Sequence, residues 1–204
     1  MTAIPAEDMA ISDRLDMLAA QTGAETVTLG WVLEQLNERA FGLFLLVLAL
    51  PCCIPFLYGI PQVVALPLML ISVQILMGRH VPWLPARLAA RTVSSADLHN
   101  LAQRAGPWLR RIETVSSPRL GLLTRAPLDQ VVGAALVLFS ASILVPIPGT
   151  NTVPGIAVVA IAMGLLQRDG ILVILGVFLG TSWIATLVIA GATLASLVKT
   201  WIGL

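Results

Sequence analysis

The sequence contains little charge, and two of its stretches contain none. Only 11% of the 204 residues are Asp, Glu, Lys or Arg, whereas 57% are hydrophobic. Residues 40–78 and 130–167 carry no charged side chain at all. Because about a quarter of the residues in soluble globular domains are charged, this composition argues against a soluble protein and is typical of a membrane protein.

Groups that could perform catalysis are also scarce. The two histidines, His80 and His99, stand at no recognisable spacing from a Ser or Cys nucleophile. The two cysteines, Cys52 and Cys53, are adjacent in an apolar run without a nearby His, so we expect them to pack rather than bind zinc or form a disulfide. The sequence has no phosphate loop, nucleophile elbow or dinucleotide fingerprint. We therefore expect no enzyme activity, cofactor or metal site.

Each charge-free stretch is too long for one straight crossing of a membrane. At about 1.5 Å per residue, a single helix over either stretch would be roughly twice as long as a hydrocarbon core of about 30 Å is thick. Proline removes a backbone donor and clashes with the preceding helical turn. The prolines near the middle of the two stretches are Pro51, Pro55 and Pro61, then Pro146, Pro148 and Pro154. They predict two helical hairpins, broken at residues 51–61 and 145–155.

The basic residues are concentrated between the two hairpins. Eight of the twelve Lys and Arg residues fall between Arg79 and Arg125, where only Asp97 and Glu113 oppose them. The positive-inside rule places such a segment in the cytoplasm. Since anionic lipid and topology explain these charges, we expect no nucleic-acid partner.

The predicted fold is an all-α integral membrane protein whose two broken hairpins, about ninety residues apart, form an inverted or otherwise internal repeat. The hairpins are either re-entrant or full crossings. In both cases the last apolar run crosses once, which leaves the C-terminus outside. The predicted segments are amphipathic N-terminal helices (1–40), a first broken hairpin (41–78), a basic cytoplasmic amphipathic segment (79–129), a second broken hairpin (130–169) and a C-terminal transmembrane helix (170–204).

Candidate ligand contacts lie in the breaks and at the ends of the hairpins. A helix that begins inside a membrane exposes backbone N–H groups and the positive end of its dipole, which favours an anion. In the second break Thr152 is the expected N-cap, and Thr150 and Asn151 add polar atoms. The first break offers only Tyr58 and Gln62 beside its cysteines.

Arginines stand at the end of both hairpins and suggest a second set of contacts. Arg79 and Arg168 could meet a lipid phosphate. The alternatives are that both arginines only reach toward the headgroups, that Arg168 pairs with Asp169, and that the polar residues of the second break only satisfy backbone groups.

Several motifs resemble those of the ExoD family of bacterial exopolysaccharide-synthesis membrane proteins, over about Thr28 to Val198. The most specific motif is in the second half, where Pro146-Ile147-Pro148-Gly149-Thr150-Asn151-Thr152-Val153-Pro154 is followed by Gly164-Leu165-Leu166-Gln167-Arg168-Asp169-Gly170. In the first half the matching residues are Phe41-Gly42-Leu43, Leu50-Pro51, Gly78-Arg79 and Pro82-Trp83-Leu84-Pro85. The first break departs from the family, since Cys52 replaces a polar Asn and Ile60-Pro61-Gln62-Val63-Val64 replaces a polar run.

The resemblance implies a multi-pass protein of the bacterial inner (cytoplasmic) membrane that supports exopolysaccharide synthesis and has no established catalytic residues. By analogy alone, two broken hairpins are also similar to DedA-type proteins thought to return undecaprenyl phosphate across the membrane. We therefore expect a homodimeric transporter or flippase of a phosphorylated lipid carrier, such as a polyprenyl phosphate, that contacts membrane lipids. The alternative is a non-transporting accessory or scaffold protein of a polysaccharide synthesis or export assembly.

Overall fold

A computed structural model describes residues 26–55, 57, 59–94, 128–147 and 149–202, together with seven isolated positions, which are 13, 17, 96, 100, 103, 107 and 110. The predicted N-terminal helix around Leu15 and most of the predicted basic segment therefore lie outside the described residues. So do Tyr58 and Pro148.

The elements with described bounds are seven α-helices, a 3-10 helix and two short strands. In chain order they are β1 (Thr26–Thr28), α1 (Leu29–Leu36), α2 (Arg39–Ala49), the 3-10 helix (Leu50–Cys53), α3 (Ile60–Leu76), α4 (Ala86–Ala89), β2 (Thr92–Ser94), α5 (Leu128–Leu144), α6 (Thr152–Gln167) and α7 (Gly170–Ile202). The prediction of a mainly helical chain with an apolar C-terminal helix is confirmed.

A two-stranded ribbon, which the sequence analysis did not anticipate, holds α1 in place. β1 and β2 pair antiparallel, with Val27 opposite Val93. The Thr28 hydroxyl then accepts a hydrogen bond from the Trp31 backbone N–H at 3.3 Å and caps α1. The axis turns by 113° between α1 and the helical segment that follows it.

Both predicted breaks are present, although helical backbone extends further into them than expected. After α2 the chain continues as a 3-10 helix through Pro51, and Pro61 is already the second residue of α3. Proline is tolerated in the first turn of a helix because the N–H that it lacks would have no partner there. Gly59, with a φ of 79°, marks the first break, and Gly149, with a φ of 78°, marks the second.

Helices of one hairpin pack antiparallel against helices of the other hairpin, with close contacts at glycines. A Cβ on Gly42 would lie 2.8 Å from the Ala162 carbonyl oxygen on α6, and a Cβ on Gly155 would lie 2.9 Å from Cys52. A Cβ on Gly133 of α5 would lie 2.4 Å from the Leu76 nitrogen on α3. The end of α2 therefore meets the start of α6, and the end of α3 meets the start of α5.

This pairing gathers both breaks at one end of a four-helix bundle, which we name the tip end. The other end, where α2 and α5 begin and where α3 and α6 finish, is the charged end. Since α6 has 16 residues, the two ends are about 24 Å apart. The core between them includes Leu45, Leu68, Leu136, Phe139, Ile161 and Ala162.

Much of the outer surface of the bundle is apolar as well. Exposed side chains include Val63 (69% exposed) on α3, Val131 (66%) on α5 and Phe178 (68%) on α7. The first part of α7 packs on α6, where Gly176 faces Ala157 and Ile161, but residues 185–202 are almost entirely exposed. Among the described helices α7 is the one that is long and apolar enough to cross a membrane alone, by length and composition.

Candidate functional site

The predicted ligand contacts divide between the two ends of the bundle. Thr150, Asn151, Thr152 and Gln62 lie at the tip end, whereas Arg79 and Arg168 lie at the charged end. Tyr58 is outside the described residues.

Glu38 is the centre of the charged end. Its Oε1 lies 3.0 Å from His80 Nδ1, and its Oε2 lies 4.0 Å from Arg168 Nη2. Glu38 also lines a small pit of about 20 Å³, whose other lining residues are Phe41, Ile75, Arg79, Asp129 and Leu165. A space of that size holds about one water molecule. The charged end therefore holds acids and bases in close proximity rather than a purely cationic patch.

Arg168 differs from the rest of this cluster in its backbone conformation and in having a guanidinium nitrogen without a hydrogen-bond partner. Its φ of 55° is left-handed, a conformation that favours glycine, and Gly78 at the end of α3 has a similar φ of 70°. The Arg168 side chain is only 16% exposed, and its Nη1 is buried without a hydrogen-bond partner. Strained residues that the surrounding structure holds in place are concentrated at functional sites, so Arg168 is the strongest candidate at this end.

Asn151 is the strongest candidate at the tip end. It is the N-cap of α6, so the prediction that Thr152 has this role is wrong by one residue. The Asn151 side chain makes no capping bond, is 8% exposed, and leaves its Oδ1 buried without a partner. Most buried polar atoms in proteins are hydrogen-bonded, so an orphaned amide oxygen is unusual.

Thr150 and Gln62 add further acceptors at the tip end. Thr150 donates its hydroxyl proton to the Ile147 carbonyl oxygen at 2.9 Å, which leaves the Thr150 Oγ1 able only to accept. Gln62, the third residue of α3, also has a buried Oε1 without a partner.

Sequence reasoning missed Trp183. Gly176 of α7 packs against Ala157 and Ile161, and continuing this antiparallel register for two turns brings Trp183 to the height of Asn151. The Trp183 Nε1 is buried without a hydrogen-bond partner. A Trp in the middle of an otherwise apolar run was the available signal.

An apolar groove runs along the outside of the bundle between α5 and α7. It has a volume of about 490 Å³, and its lining consists of Leu128, Val131, Val132, Ala135, Val173, Ile174, Val177, Phe178 and Thr181. The groove begins beside Asp129 at the charged end. Its lining and size suit a hydrocarbon chain.

Cys52 takes the packing role that was predicted for the two cysteines. Both are free thiols, and Cys52 is fully buried against Gly155 of α6. This contact joins the first break to the start of α6.

Comparison with known proteins gives the family. The profile described as "Exopolysaccharide synthesis, ExoD" matches residues 11–189. The chain belongs to the ExoD family. This ExoD-family chain is 31% identical to Protein ExoD of Rhizobium meliloti over 176 residues, which cover 82% of the chain and 72% of the relative. It is 28% identical to an uncharacterized protein of Synechocystis over 186 residues, 87% of the chain and 88% of the relative. No solved structure is significantly similar to the chain.

Family membership confirms the resemblance seen in the sequence, and it links the chain to exopolysaccharide synthesis and to the membrane. It assigns no residue a role. The function of the two polar ends therefore has to be argued from their geometry.

Proposed function

We propose that this ExoD-family protein is a multi-pass inner-membrane protein that moves a phosphorylated lipid intermediate of exopolysaccharide synthesis across the bilayer. The observation that carries the proposal is the arrangement of polar groups. A headgroup that crosses a membrane needs a polar contact near each face, and the bundle has one polar end on each side of an apolar core.

The dimensions of the bundle are consistent with full crossings. The two polar ends are separated by the length of α6, about 24 Å, which is close to a hydrocarbon thickness of about 30 Å. The exposed apolar side chains on α3, α5 and α7 would then contact lipid tails, a role that suits large apolar surfaces outside the core.

The glycine contacts support an internal repeat in which both hairpins point the same way. Gly42 and Gly133 are about ninety residues apart, and so are the helix ends that they approach, near Leu166 and Leu76. If the two hairpins are exchanged, Gly42 takes the place of Gly133 and Leu166 takes the place of Leu76. Both contacts are therefore reproduced. Because both breaks lie at the same end, the repeat is a parallel one, in contrast to an inverted repeat.

The charged end is the proposed contact for the lipid phosphate. Arg168 pairs only loosely with Glu38, at 4.0 Å, and its Nη1 has no hydrogen-bond partner. A guanidinium binds phosphate oxygens through paired N–H groups, so Arg168 has the donors that a phosphate requires. Arg79 lines the adjacent pit and is exposed to an arriving headgroup.

The groove between α5 and α7 supplies a path for the hydrocarbon chain of the same lipid. It opens to the outside of the bundle and begins at the charged end, next to Asp129. A lipid whose headgroup meets the arginines could therefore lay its chain along Val131 and Phe178.

The test is lipid movement by the full-length protein reconstituted in liposomes. We expect the wild type to move a fluorescent polyprenyl phosphate between leaflets and Arg168→Ala to slow this movement by at least about tenfold, because charge-assisted hydrogen bonds are strong. Arg87→Ala, at an exposed position of α4, is the matched control and should move lipid at the wild-type rate.

An accessory function is the second candidate, because Trp83 and Leu88 are exposed beside Arg87 on one small surface. If the wild type neither binds nor moves polyprenyl phosphate, the transport proposal is wrong. Capture of a glycosyltransferase that depends on Arg87 would then favour a scaffold. Homodimerisation stays a prediction in either case.

A further inference from the structure

Glu38 holds two basic side chains of the charged end unequally. Its Oε1 lies 3.0 Å from His80 Nδ1, which is a hydrogen-bond distance, whereas its Oε2 lies 4.0 Å from Arg168 Nη2, which is beyond one. The Glu38 side chain is 32% exposed, and that of His80 is 65% exposed. The carboxylate can therefore release Arg168 and keep its shorter contact with His80 near the surface.

Arg168 needs a negative partner even when no lipid is bound. Its side chain is only 16% exposed, and a largely buried guanidinium without an anion beside it lowers stability. Glu38 Oε2 supplies a negative charge next to Nη2, although at a distance that makes the pair loose. The Glu38 carboxylate therefore lies where a phosphate oxygen bound to Nη2 would have to lie.

Two other acids of the charged end contact backbone groups. Asp129 Oδ1 accepts a hydrogen bond from the Gln130 N–H at 2.8 Å, and Asp169 Oδ1 accepts one from the Ile171 N–H at 2.9 Å. Both bonds are at the start of a helix, where N–H groups lack intrahelical acceptors. These bonds hold the two aspartates at their helix ends, whereas Glu38 contacts side chains alone in the bonds described above.

The space beside Glu38 is too small for a phosphate. The pit that Glu38 lines together with Arg79 and Asp129 has a volume of about 20 Å³, which holds about one water molecule. A phosphate group has four oxygens around its phosphorus and is larger than one water. A phosphate that contacts both Arg79 and Arg168 must therefore displace the Glu38 carboxylate.

An exchange of anions meets both conditions. When a phosphate binds Arg168, Glu38 keeps His80, and when the phosphate leaves, Glu38 lies beside the arginine again. Because a carboxylate only accepts hydrogen bonds, His80 Nδ1 is the donor in their contact. The guanidinium then has an anion beside it in both states.

We infer that Glu38 competes with the lipid phosphate for Arg168 and promotes its release. Glu38 is thus a positioning residue, and His80 is the partner that holds it while the lipid is bound. The inference rests on the proposed function and adds a release step to the same site. A site on a transport path must bind its cargo weakly enough to let it leave.

Binding of a polyprenyl phosphate to the purified full-length protein tests the competition. Glu38→Gln removes the charge and keeps the size of the side chain. We expect this variant to bind the lipid about fivefold more tightly than the wild type, and to move it about fivefold more slowly in liposomes at saturating lipid, because no anion competes for the guanidinium. A loss of structure would weaken binding, so the sign of the change separates the two explanations.

Removing His80 should have the opposite effect on binding. In His80→Ala the carboxylate loses its shorter contact and stays with Arg168, so we expect the lipid to bind about threefold more weakly, the effect of losing one hydrogen bond. In the double variant with Glu38→Gln, the loss of His80 should change nothing further, because no carboxylate remains for it to hold.

Three controls locate the effect. Glu34→Gln removes an acid from an exposed position of α1 and should bind the lipid as the wild type does. Glu38→Asp keeps the negative charge and should bind the lipid less tightly than Glu38→Gln. Arg168→Ala, combined with Glu38→Gln, should remove the gain in binding.

Several results would overturn the inference. They are binding by Glu38→Gln that is no tighter than that of the wild type, a gain that survives Arg168→Ala, and movement of lipid by Glu38→Gln that is at least as fast as that of the wild type. Each of them leaves the transport proposal standing as long as the wild type binds and moves the lipid. The absence of binding and movement in the wild type would refute the transport proposal itself.

Discussion

The two ends of the bundle differ in the partners that their polar groups have. At the charged end Glu38 is within reach of His80 and Arg168, and Arg79 and Asp129 share a pit with it. At the tip end Asn151 and Gln62 each have a buried oxygen that has no partner. A network of opposite charges can hold its own geometry, whereas unpaired amides lower stability until a partner arrives.

The comparison teaches that, among the described residues of the bundle, charge gathers at one end whereas buried polar atoms without a partner occur at both. Of the described residues, the ionisable Glu38, Arg79, His80, Asp129 and Arg168 lie at the charged end, where Glu38 contacts both His80 and Arg168. The tip end contains no charged residue between Val145 and Pro154, and its Asn151 Oδ1 and Gln62 Oε1 are buried without a partner, but so are Gln167 Nε2 and Arg168 Nη1 at the charged end. Arg168 differs from Gln167 because it combines an unpaired nitrogen with a left-handed backbone.

The largest effect is expected from breaking the close packing of α5 against α3. A Cβ on Gly133 would lie 2.4 Å from the Leu76 nitrogen, so Gly133→Ala must push α5 away from α3. We expect a loss of about 1–3 kcal/mol in the free energy of unfolding, measured by thermal or denaturant unfolding in detergent.

Gly191→Ala is the control for this substitution. Nothing lies within 4 Å of a Cβ at Gly191, and alanine favours a helix over glycine by about 1 kcal/mol. Its stability should equal or exceed that of the wild type. A similar loss in both variants would contradict the close approach of α3 and α5.

A second prediction separates stability from function at the charged end. A left-handed residue other than glycine costs about 1–2 kcal/mol, so Arg168→Gly relieves strain while it removes the guanidinium. We expect the melting temperature to stay the same or rise and lipid movement in liposomes to fall at least about tenfold. Full activity in Arg168→Gly would mean that this arginine has only a structural role at the end of α6.

The smallest effect is expected midway between the ends. Ser72 and Ser140 lie 3.4 Å apart in the core, but each donates to its own helix, to Leu68 at 2.8 Å and to Leu136 at 2.7 Å. Since both protons are already used, the contact between the two hydroxyls should contribute less than about 0.5 kcal/mol in a double-mutant cycle. Ser72→Ala should also leave lipid movement unchanged. A transport defect there would indicate a third polar contact in the core.

The sequence was sufficient to predict the helices and the breaks, because proline and the absence of charge act locally. It also directed attention to Asn151, Gln62 and Arg168, whose residue types are unusual where they stand. It could not predict which helices pair, since the pairing depends on close contacts at Gly42 and Gly133 between segments far apart in the chain.

Three further features could not be predicted from the sequence because they depend on contacts between residues far apart in the chain. His80 and Glu38 are separated by 42 residues, and no local pattern joins them. The position of Trp183 depends on the register of α7 against α6. The ribbon of β1 and β2 joins short segments whose composition does not distinguish them from loops.

Cysteine accessibility tests most directly the claim that the two polar ends face opposite sides of the membrane. Thr150→Cys and Arg87→Cys would each be introduced into a background without Cys52 and Cys53 and labelled with a membrane-impermeant maleimide. The account predicts that Thr150→Cys reacts only from the outside of intact cells and Arg87→Cys only from the cytoplasmic side of inverted vesicles. Labelling of both positions from the cytoplasmic side alone would make the hairpins re-entrant and contradict the account.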